Sequence, residues 1–109
     1  MSFTANDVLT LAAPLAAGLA IDATLGLKWV NDAVARLAIN RPEAQFNDSG
    51  EYRARVVLTA EGDTIAQDDR FITALAQYVA AQRFLQEGES AKHRTQALEL
   101  LKLSGLGVV

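Results

Sequence analysis

The chain has 109 residues, a length that suits one domain with a single modest hydrophobic core. Half of the residues are hydrophobic but only 6% are aromatic, so alanine and leucine supply much of the apolar content, which favours helices. The formal net charge of −3 disfavours general electrostatic binding to nucleic acid or to an anionic membrane, and the absence of cysteine excludes disulfides, thiolate nucleophiles and cysteine-based zinc sites.

The first segment, from Ser2 to Ala13, is typical of a short amphipathic helix. Thr4 is placed to cap it, with Asp7 three residues later in a variant of the capping box. Pro14 ends or kinks this helix, because proline lacks the backbone N–H that helical bonding requires. The segment from Pro14 to Ile21 is then a hinge or an irregular helical turn. The apolar run here is too short to span a bilayer, and the N-terminus lacks the basic residues of a secretory signal.

A second helix is predicted from Ala23 to about Asn40, with Asp22 as its N-cap. Its core-facing stripe recurs at steps of three and four residues: Leu27, Val30, Val34 and Leu37. Trp29 lies beside this stripe and has two interpretations. It covers the edge of the core, or it anchors an interface, where tryptophan is enriched.

The segment after this helix changes character twice. Residues Arg41–Gly50 contain Pro, Asn, Asp and Gly and predict a surface loop. Over Glu51–Thr59 one face would carry Tyr52, Ala54, Val56 and Leu58 and the other Arg53, Arg55, Val57 and Thr59. This alternation predicts a half-buried strand, with a helix over Glu51–Ala60 as the alternative. A turn at Glu61–Asp63 leads to a short return strand at Thr64–Ala66. Because two strands alone are marginal, this hairpin is expected to lean on the helices or on a neighbouring subunit.

The strongest helical pattern runs from Asp68 to Glu87 and is apolar on two sides. One side carries a broad core-facing stripe: Phe71, Ile72, Leu75, Tyr78, Val79 and Leu85. The second side carries small or aromatic residues where a solvated surface would carry charges: Thr73, Ala76, Ala80 and Phe84. A helix that is apolar on both sides must bury both. The second side is therefore predicted to seat a folded-back last helix or to contact another subunit.

A last helix is predicted over Ala91–Leu103, between a break at Gly88 and a stop at Ser104–Gly105. Its first turns are polar and are expected to face water. Its later turns carry the residues that are expected to pack: Ala97, Leu98, Leu100, Leu101 and Leu103. The tail over Gly105–Val109 is apolar. Its three large residues, Leu106, Val108 and Val109, either tuck onto the chain's own core or are donated to a neighbour.

The titratable residues show no catalytic or ligand-binding pattern. Asp68 and Asp69 are adjacent, so on a helix their side chains diverge by about 100° and cannot face one substrate; they are predicted to cap the helix instead. His93 lies in a polar turn and is interpreted as an exposed residue without a role. A single histidine cannot build a multi-histidine metal site. We therefore expect no cofactor, no metal ion and no enzymatic activity.

The order of these elements is informative. The chain begins with a capped helix over TANDVLTLA and a longer helix over DATLGLKWVNDAVARLA, and it continues with the β segment EYRARVVLTAEGDTIA. An alanine-rich helix, FITALAQYVAAQRFL, and a helix that is first polar and then leucine-rich, SAKHRTQALELLK, complete it. In this layout the chain resembles the small head–tail connector proteins of tailed bacteriophages and prophages, which are also called head-completion or adaptor proteins.

Pattern and resemblance together predict a mainly α fold, a single small helical domain over residues 1–109 with about four helices and a short β-hairpin before the central helix. The resemblance further implies a non-enzymatic virion protein. Its partners would be copies of itself in a ring, which forms alone or on binding the portal, together with portal and tail-side proteins. DNA would pass through the ring without specific binding, and no membrane is involved. Its place would be the neck of the virion, after assembly in the bacterial host cytoplasm.

The residues expected at the oligomer or partner interface are Trp29, Thr73, Ala76, Ala80, Phe84, Leu106, Val108 and Val109. Two alternative functions from other classes remain at this point. One is a small helical interaction or regulatory module that acts as a dimer. The other is an enzyme with an unrecognised site.

Overall fold

The computed structural model describes residues 3–17, 19–46, 49–54, 56–67, 69–87 and 91–106. Within them, the elements in chain order are β1 (Phe3–Thr4), α1 (Ala5–Leu15), α2 (Ala23–Asn40), β2 (Thr64–Ile65), α3 (Ile72–Glu87) and α4 (Ala91–Ser104). Short 3₁₀ turns occupy Pro42–Gln45 and Asp69–Phe71. The predicted fold class is confirmed, since the described residues are mainly helical and form four helices and one small antiparallel sheet.

Helix α1 begins where the capping box predicts. The Thr4 hydroxyl accepts the N–H of Asp7 at 3.2 Å, and the Asp7 carboxylate accepts the N–H of Thr4 at 2.9 Å. Such a cap stabilises a helix by about 1 kcal/mol. The helix continues through Pro14 to Leu15, past its predicted end. Because Pro14 lies in the last turn, its missing N–H removes only one bond close to the end of the helix.

Helix α2 has the predicted bounds. The Asp22 carboxylate accepts the N–H of Leu25 at 3.1 Å, as an N-cap does. Gly26 allows α1 and the hinge to approach closely, because a Cβ at this position would lie 2.8 Å from a methyl carbon of Leu9. At the other end of the helix, the N–H of Arg41 donates to the carbonyl of Leu37 at 2.8 Å.

The small sheet joins segments that are far apart in the sequence. Strand β1 pairs antiparallel with β2, so that Phe3 lies opposite Ile65 and Thr4 opposite Thr64. Phe3 and Ile65 are both buried in the core. Strand β2 thus lies within the predicted return strand, but it pairs with the N-terminus rather than with residues 51–59. Burial of Phe3 determines this pairing, and no local sequence pattern reports it.

The prediction of a strand over Glu51–Thr59 is wrong for the described residues of that segment. None of them belongs to a strand or a helix, and Tyr52 makes an isolated bridge with Phe46. The alternation of residue types is real, but no second strand lies alongside to use it. In the preceding loop Phe46 is 43% exposed, whereas Ala44 is buried.

Helix α3 is the centre of the core and packs against α1, α2 and α4. The stripe that was predicted to face the core is buried at Phe71, Leu75, Tyr78 and Val79. On its second side Ala76, Ala80 and Phe84 are buried as well, so the predicted two-sided burial is confirmed there. Thr73 and Leu85 are the exceptions, because both are exposed.

Helix α4 folds back along α3, and this pair makes the most extensive contact between elements. Phe84 is buried against Ala81 and Ala97, with Leu100 and Leu101 packed beside them. The expectation that Leu98 and Leu103 also pack is wrong, since both are exposed. Positions 97, 101 and 104 recur at steps of four and three and face α3, whereas positions 98 and 103 fall on other sides of the helix.

Candidate interaction site

Most of the interface residues predicted from the sequence lie inside the chain itself. Ala76, Ala80 and Leu106 have no exposed surface, Phe84 is 2% exposed and Trp29 is 9% exposed. A side chain that is already buried cannot meet a partner without a rearrangement of its own fold. These five residues are therefore corrected from interface to core. The second side of α3 seats α4, and Trp29 covers the core, which are the alternatives that the sequence left open.

The remaining predicted residues divide differently. Thr73 is exposed and lines a cavity that is described below. Val108 and Val109 lie outside the described residues. The described part of the tail docks onto its own chain, because the N–H of Leu106 donates to the Ser104 hydroxyl at 3.1 Å and its carbonyl accepts from the Asn40 amide at 3.4 Å. Gly105, with a φ of 70°, makes the turn that allows this.

Contacts of Arg36 with Tyr78 and with Leu106 join α2 to α3 and to the tail. The guanidinium carbon of Arg36 lies 5.5 Å from the centre of the Tyr78 ring, and Arg36 also donates to the carbonyl of Leu106 at 3.5 Å. Burial raises the pKa of Tyr78, and the Arg36 charge opposes this shift. The phenol is thus neutral at ordinary pH, which fits a structural group better than a catalytic base.

One segment leaves its large apolar residues uncovered. We name residues 52–57 the arm; position 55 within it lies outside the described residues. Tyr52, Val56 and Val57 are 63%, 53% and 66% exposed. Among the described residues, no hydrogen-bonding partner is found for the backbone of Val56 or Val57. Apolar side chains and unpaired backbone groups are therefore presented together, as they are at the edge of an incomplete sheet.

The arm is held at both ends. At its far end, the Asn31 amide donates to the carbonyl of Leu58 at 2.9 Å and accepts the N–H of Leu58 at 2.8 Å, as a neighbouring strand would. At its near end, the rings of Tyr52 and Phe46 meet edge to face with centres 5.6 Å apart. The N–H of Arg53 donates to the carbonyl of Gln45. Because these contacts already restrict the arm, it would lose less conformational entropy when it binds a partner.

Asp63 fixes the chain just beyond the arm. Its carboxylate accepts the N–H of Thr59 at 2.8 Å, the hydroxyl of Thr59 at 3.0 Å and the N–H of Ala60 at 3.1 Å. These bonds, led by the one from the Thr59 backbone, hold the pKa of Asp63 below its usual range. The sequence predicted that Asp63 lies in a turn, but not that its carboxylate binds the backbone of the residues that follow the arm.

A shallow cavity of about 550 Å³ lies between the end of α2, the start of α3 and the end of α4. Its charged groups belong to Arg41, Glu43 and Arg70, and its hydroxyl belongs to Thr73. Its apolar wall is Leu103, whose side chain is 70% exposed. The guanidinium of Arg70 also lies over the ring of the adjacent Phe71. Sequence reasoning missed this cavity, because its residues come from three elements that only the tertiary fold brings together.

In the part of the chain that the structure describes, no group of three or more His, Asp or Glu residues is placed to hold a metal ion. No described helix is both long and apolar enough to cross a membrane. His93 is partly buried rather than exposed as predicted, because its ring packs 5.5 Å from that of Phe84.

Comparison with protein-family models, with curated proteins and with solved structures gave no match.

Proposed function

We propose that this chain is a structural adaptor of a tailed bacteriophage or prophage, which assembles as a ring at the neck of the virion between the portal and the tail. The observation that carries the proposal is the arm, whose exposed apolar residues and unpaired backbone are held in place by Asn31 and Phe46. The layout of the elements, which resembles that of connector proteins, supplies the identity of the partners.

An exposed apolar segment of this kind is unfavourable in a protein that functions as a monomer. Three large apolar residues within six positions, beside unpaired backbone groups, favour association with another chain. Contacts at the two ends, Leu58 with Asn31 and Tyr52 with Phe46, position the described residues of the arm. A protein whose role is assembly needs such a surface, whereas it needs no catalytic constellation.

Ring formation sets a further requirement. Copies in a ring contact each other head to tail, through two different surfaces on each subunit. The arm would supply one of these two surfaces. DNA would pass through the centre of the ring without specific contacts, in keeping with the negative net charge of the chain.

The experiment measures the mass and shape of the purified protein. Size-exclusion chromatography with light scattering, followed by negative-stain microscopy, would be carried out with and without portal protein. We expect closed rings, in the portal-containing sample at least, because some adaptors assemble only on their partner. A protein that stays monomeric in both samples would overturn the proposal.

The arm also supports a second candidate function, a dimeric interaction module. Two arms could pair antiparallel about a two-fold axis. The ring is preferred because the layout of the elements resembles that of connector proteins. A discrete dimer that portal protein does not convert into a ring would reverse the order.

A further inference from the structure

We infer that the arm accepts an extended, acidic segment of a partner protein as an added strand. This inference rests on the proposed assembly function and deepens it, because it names the chemistry that the arm recognises. Three properties of the arm carry it: backbone groups without partners along one edge, a local positive charge, and exposed apolar side chains.

The backbone of the arm leaves one edge open between its two anchors. In an extended chain, the backbone groups of successive residues point to opposite edges. The N–H of Arg53 donates to the carbonyl of Gln45, so the edge on that side adjoins the preceding loop. Among the described residues, no hydrogen-bonding partner is found for the backbone of Ala54 or Val56, which would lie on the opposite edge. That edge can accept a strand as far as Leu58, whose backbone is already bonded.

The arm is a basic segment in an acidic chain. Its six positions carry two arginines, Arg53 and Arg55, and no aspartate or glutamate, although the net charge of the whole chain is −3. The adjacent Glu51 already makes an interaction within the chain. The Arg53 side chain is exposed, and the described part of the structure shows no ion pair for it. Carboxylates across a strand pair from these arginines would be favourable, whereas lysines there would be unfavourable.

The apolar side chains add a second requirement. Tyr52 and Val56 are both exposed and lie four residues apart, so an extended arm presents them on one face and Arg53 on the other. Residues directly opposite each other in a strand pair have their side chains on the same face. A segment in which acidic and apolar residues alternate would therefore match both faces of the arm.

We expect the segment to belong to a protein other than this chain. The arm of a second copy carries the same two arginines and lacks the acidic residues. Strands β1 and β2 of a second copy already pair with each other, and the loop that contains Glu61 and Asp63 is bonded to the start of α1. A strand added at the edge leaves the faces of the arm open, so a neighbouring copy in the ring can still contact Tyr52 and Val56.

The test titrates the isotope-labelled full chain with capped peptides of about nine residues, long enough for one strand. Valine alternates with glutamate in the probe peptide and with lysine in its matched control. The glutamate peptide should bind and move the amide resonances of Ala54 and Val56 in NMR spectra, and the lysine peptide should bind at least about fivefold more weakly. Two further glutamate peptides are N-methylated at every valine or at every glutamate. Only one of them should lose binding, because an added strand bonds through a single edge.

Charge reversal on the arm provides the second measurement. Arg53→Glu should weaken binding of the glutamate peptide at least about fivefold and strengthen binding of the lysine peptide. Lys102→Glu makes the same charge change at an exposed position on α4, outside the arm, and should bind both peptides like the unmodified chain. Far-UV circular dichroism checks that both variants are folded.

The outcomes separate the inference from the function on which it rests. The inference is overturned if the glutamate peptide does not bind, if the lysine peptide binds equally well, or if both N-methylated peptides bind. It is also overturned if single-stranded oligothymidylate, rather than the peptide, moves the resonances of the arm. Rings formed with portal protein would leave the adaptor function standing in each of these cases. A chain that binds the glutamate peptide but never assembles would instead refute the proposed function.

Discussion

The second side of helix α3 and the arm carry similar apolar material in opposite surroundings. Ala80 and Phe84 on α3 are buried by α4 within the same chain. Tyr52, Val56 and Val57 on the arm are uncovered. The sequence suggested that both regions need neighbours, and the structure supplies a neighbour for only one of them. Apolar residues on α3 therefore contribute to stability, whereas those on the arm are exposed and are the surface that we propose for assembly.

The backbone shows the same contrast. A helix satisfies its own N–H and C=O groups, so α3 needs only side-chain packing to be stable. The arm has no strand beside it and relies on the Asn31 amide and the turn at Asp63 to hold its end. Substitutions in the two regions should consequently have different effects. Changes on α3 should reduce the free energy of unfolding, and changes on the arm should reduce association.

The largest effect is expected for Ala80→Glu. Ala80 has no exposed surface, so the carboxylate would be buried without a partner, and we expect a loss of more than about 4 kcal/mol in the free energy of unfolding, enough to unfold the chain. Urea denaturation followed by circular dichroism measures it. Thr73→Glu, on the same helix but exposed, is the control and should stay folded. If Ala80→Glu stays folded but fails to assemble, this side of α3 is an interface rather than part of the core.

A smaller loss is expected for Phe84→Ala. The ring is buried between α3 and α4, and its removal should lower the free energy of unfolding by about 3–5 kcal/mol through lost contacts and a cavity. Leu85→Ala, which removes a 40% exposed neighbour, should cost much less and provides the comparison. Equal losses for the two variants would show that α4 does not seat on Phe84.

Removal of the Asn31 clamp should have a moderate effect that is partly local. Asn31→Ala leaves the N–H and carbonyl of Leu58 without their partner, at a cost of about 1–3 kcal/mol. Hydrogen exchange at the Leu58 amide should become faster while the amides of α3 remain protected. Asn31→Asp, which keeps the acceptor and loses the donor, should fall in between. An unchanged Leu58 amide in Asn31→Ala would contradict the clamp.

The smallest effect is expected on acidification of Asp63. Its pKa is lowered in the folded chain, so the turn is stabilised in full above the pKa of an unfolded aspartate, and this stabilisation is lost as pH falls through the folded value. The amide resonances of Thr59 and Ala60 should report that loss in NMR spectra recorded down an acid titration. Asp63→Asn should remove the pH dependence of both resonances, and a titration identical to that of the unmodified chain would disprove the assignment.

Helix positions were largely predictable from the sequence because their signals are local. The Thr4–Asp7 pair and the Asp22 cap lie within three residues of the amides that they bind, so the start of α2 was placed correctly and that of α1 within a few residues. Two-sided burial of α3 also followed from its own pattern. The identity of what buries it did not, because the α3–α4 hairpin depends on tertiary packing.

The arm and the cavity were less predictable for the same reason. Alternating residues over Glu51–Thr59 predicted a strand, but the described residues of this segment form none, and β2 pairs with Phe3–Thr4 instead. Exposure of Leu98 and Leu103 depends on which face of α4 turns toward α3. The grouping of Arg41 and Glu43 with Arg70 requires the end of α2 and the start of α3 to be in their final positions. None of these relations is contained in a single stretch of sequence.

Hydrogen exchange measured at low and high protein concentration tests the contrast between core and arm most directly. Peptides that cover the arm and α3 would be followed by mass spectrometry, with light scattering to establish the assembly state. We expect the amides of Val56 and Val57 to exchange rapidly in the monomer and to become protected in the assembled protein, while α3 is protected in both. An arm that exchanges as rapidly in assembled particles as in the monomer would contradict its role as the assembly surface.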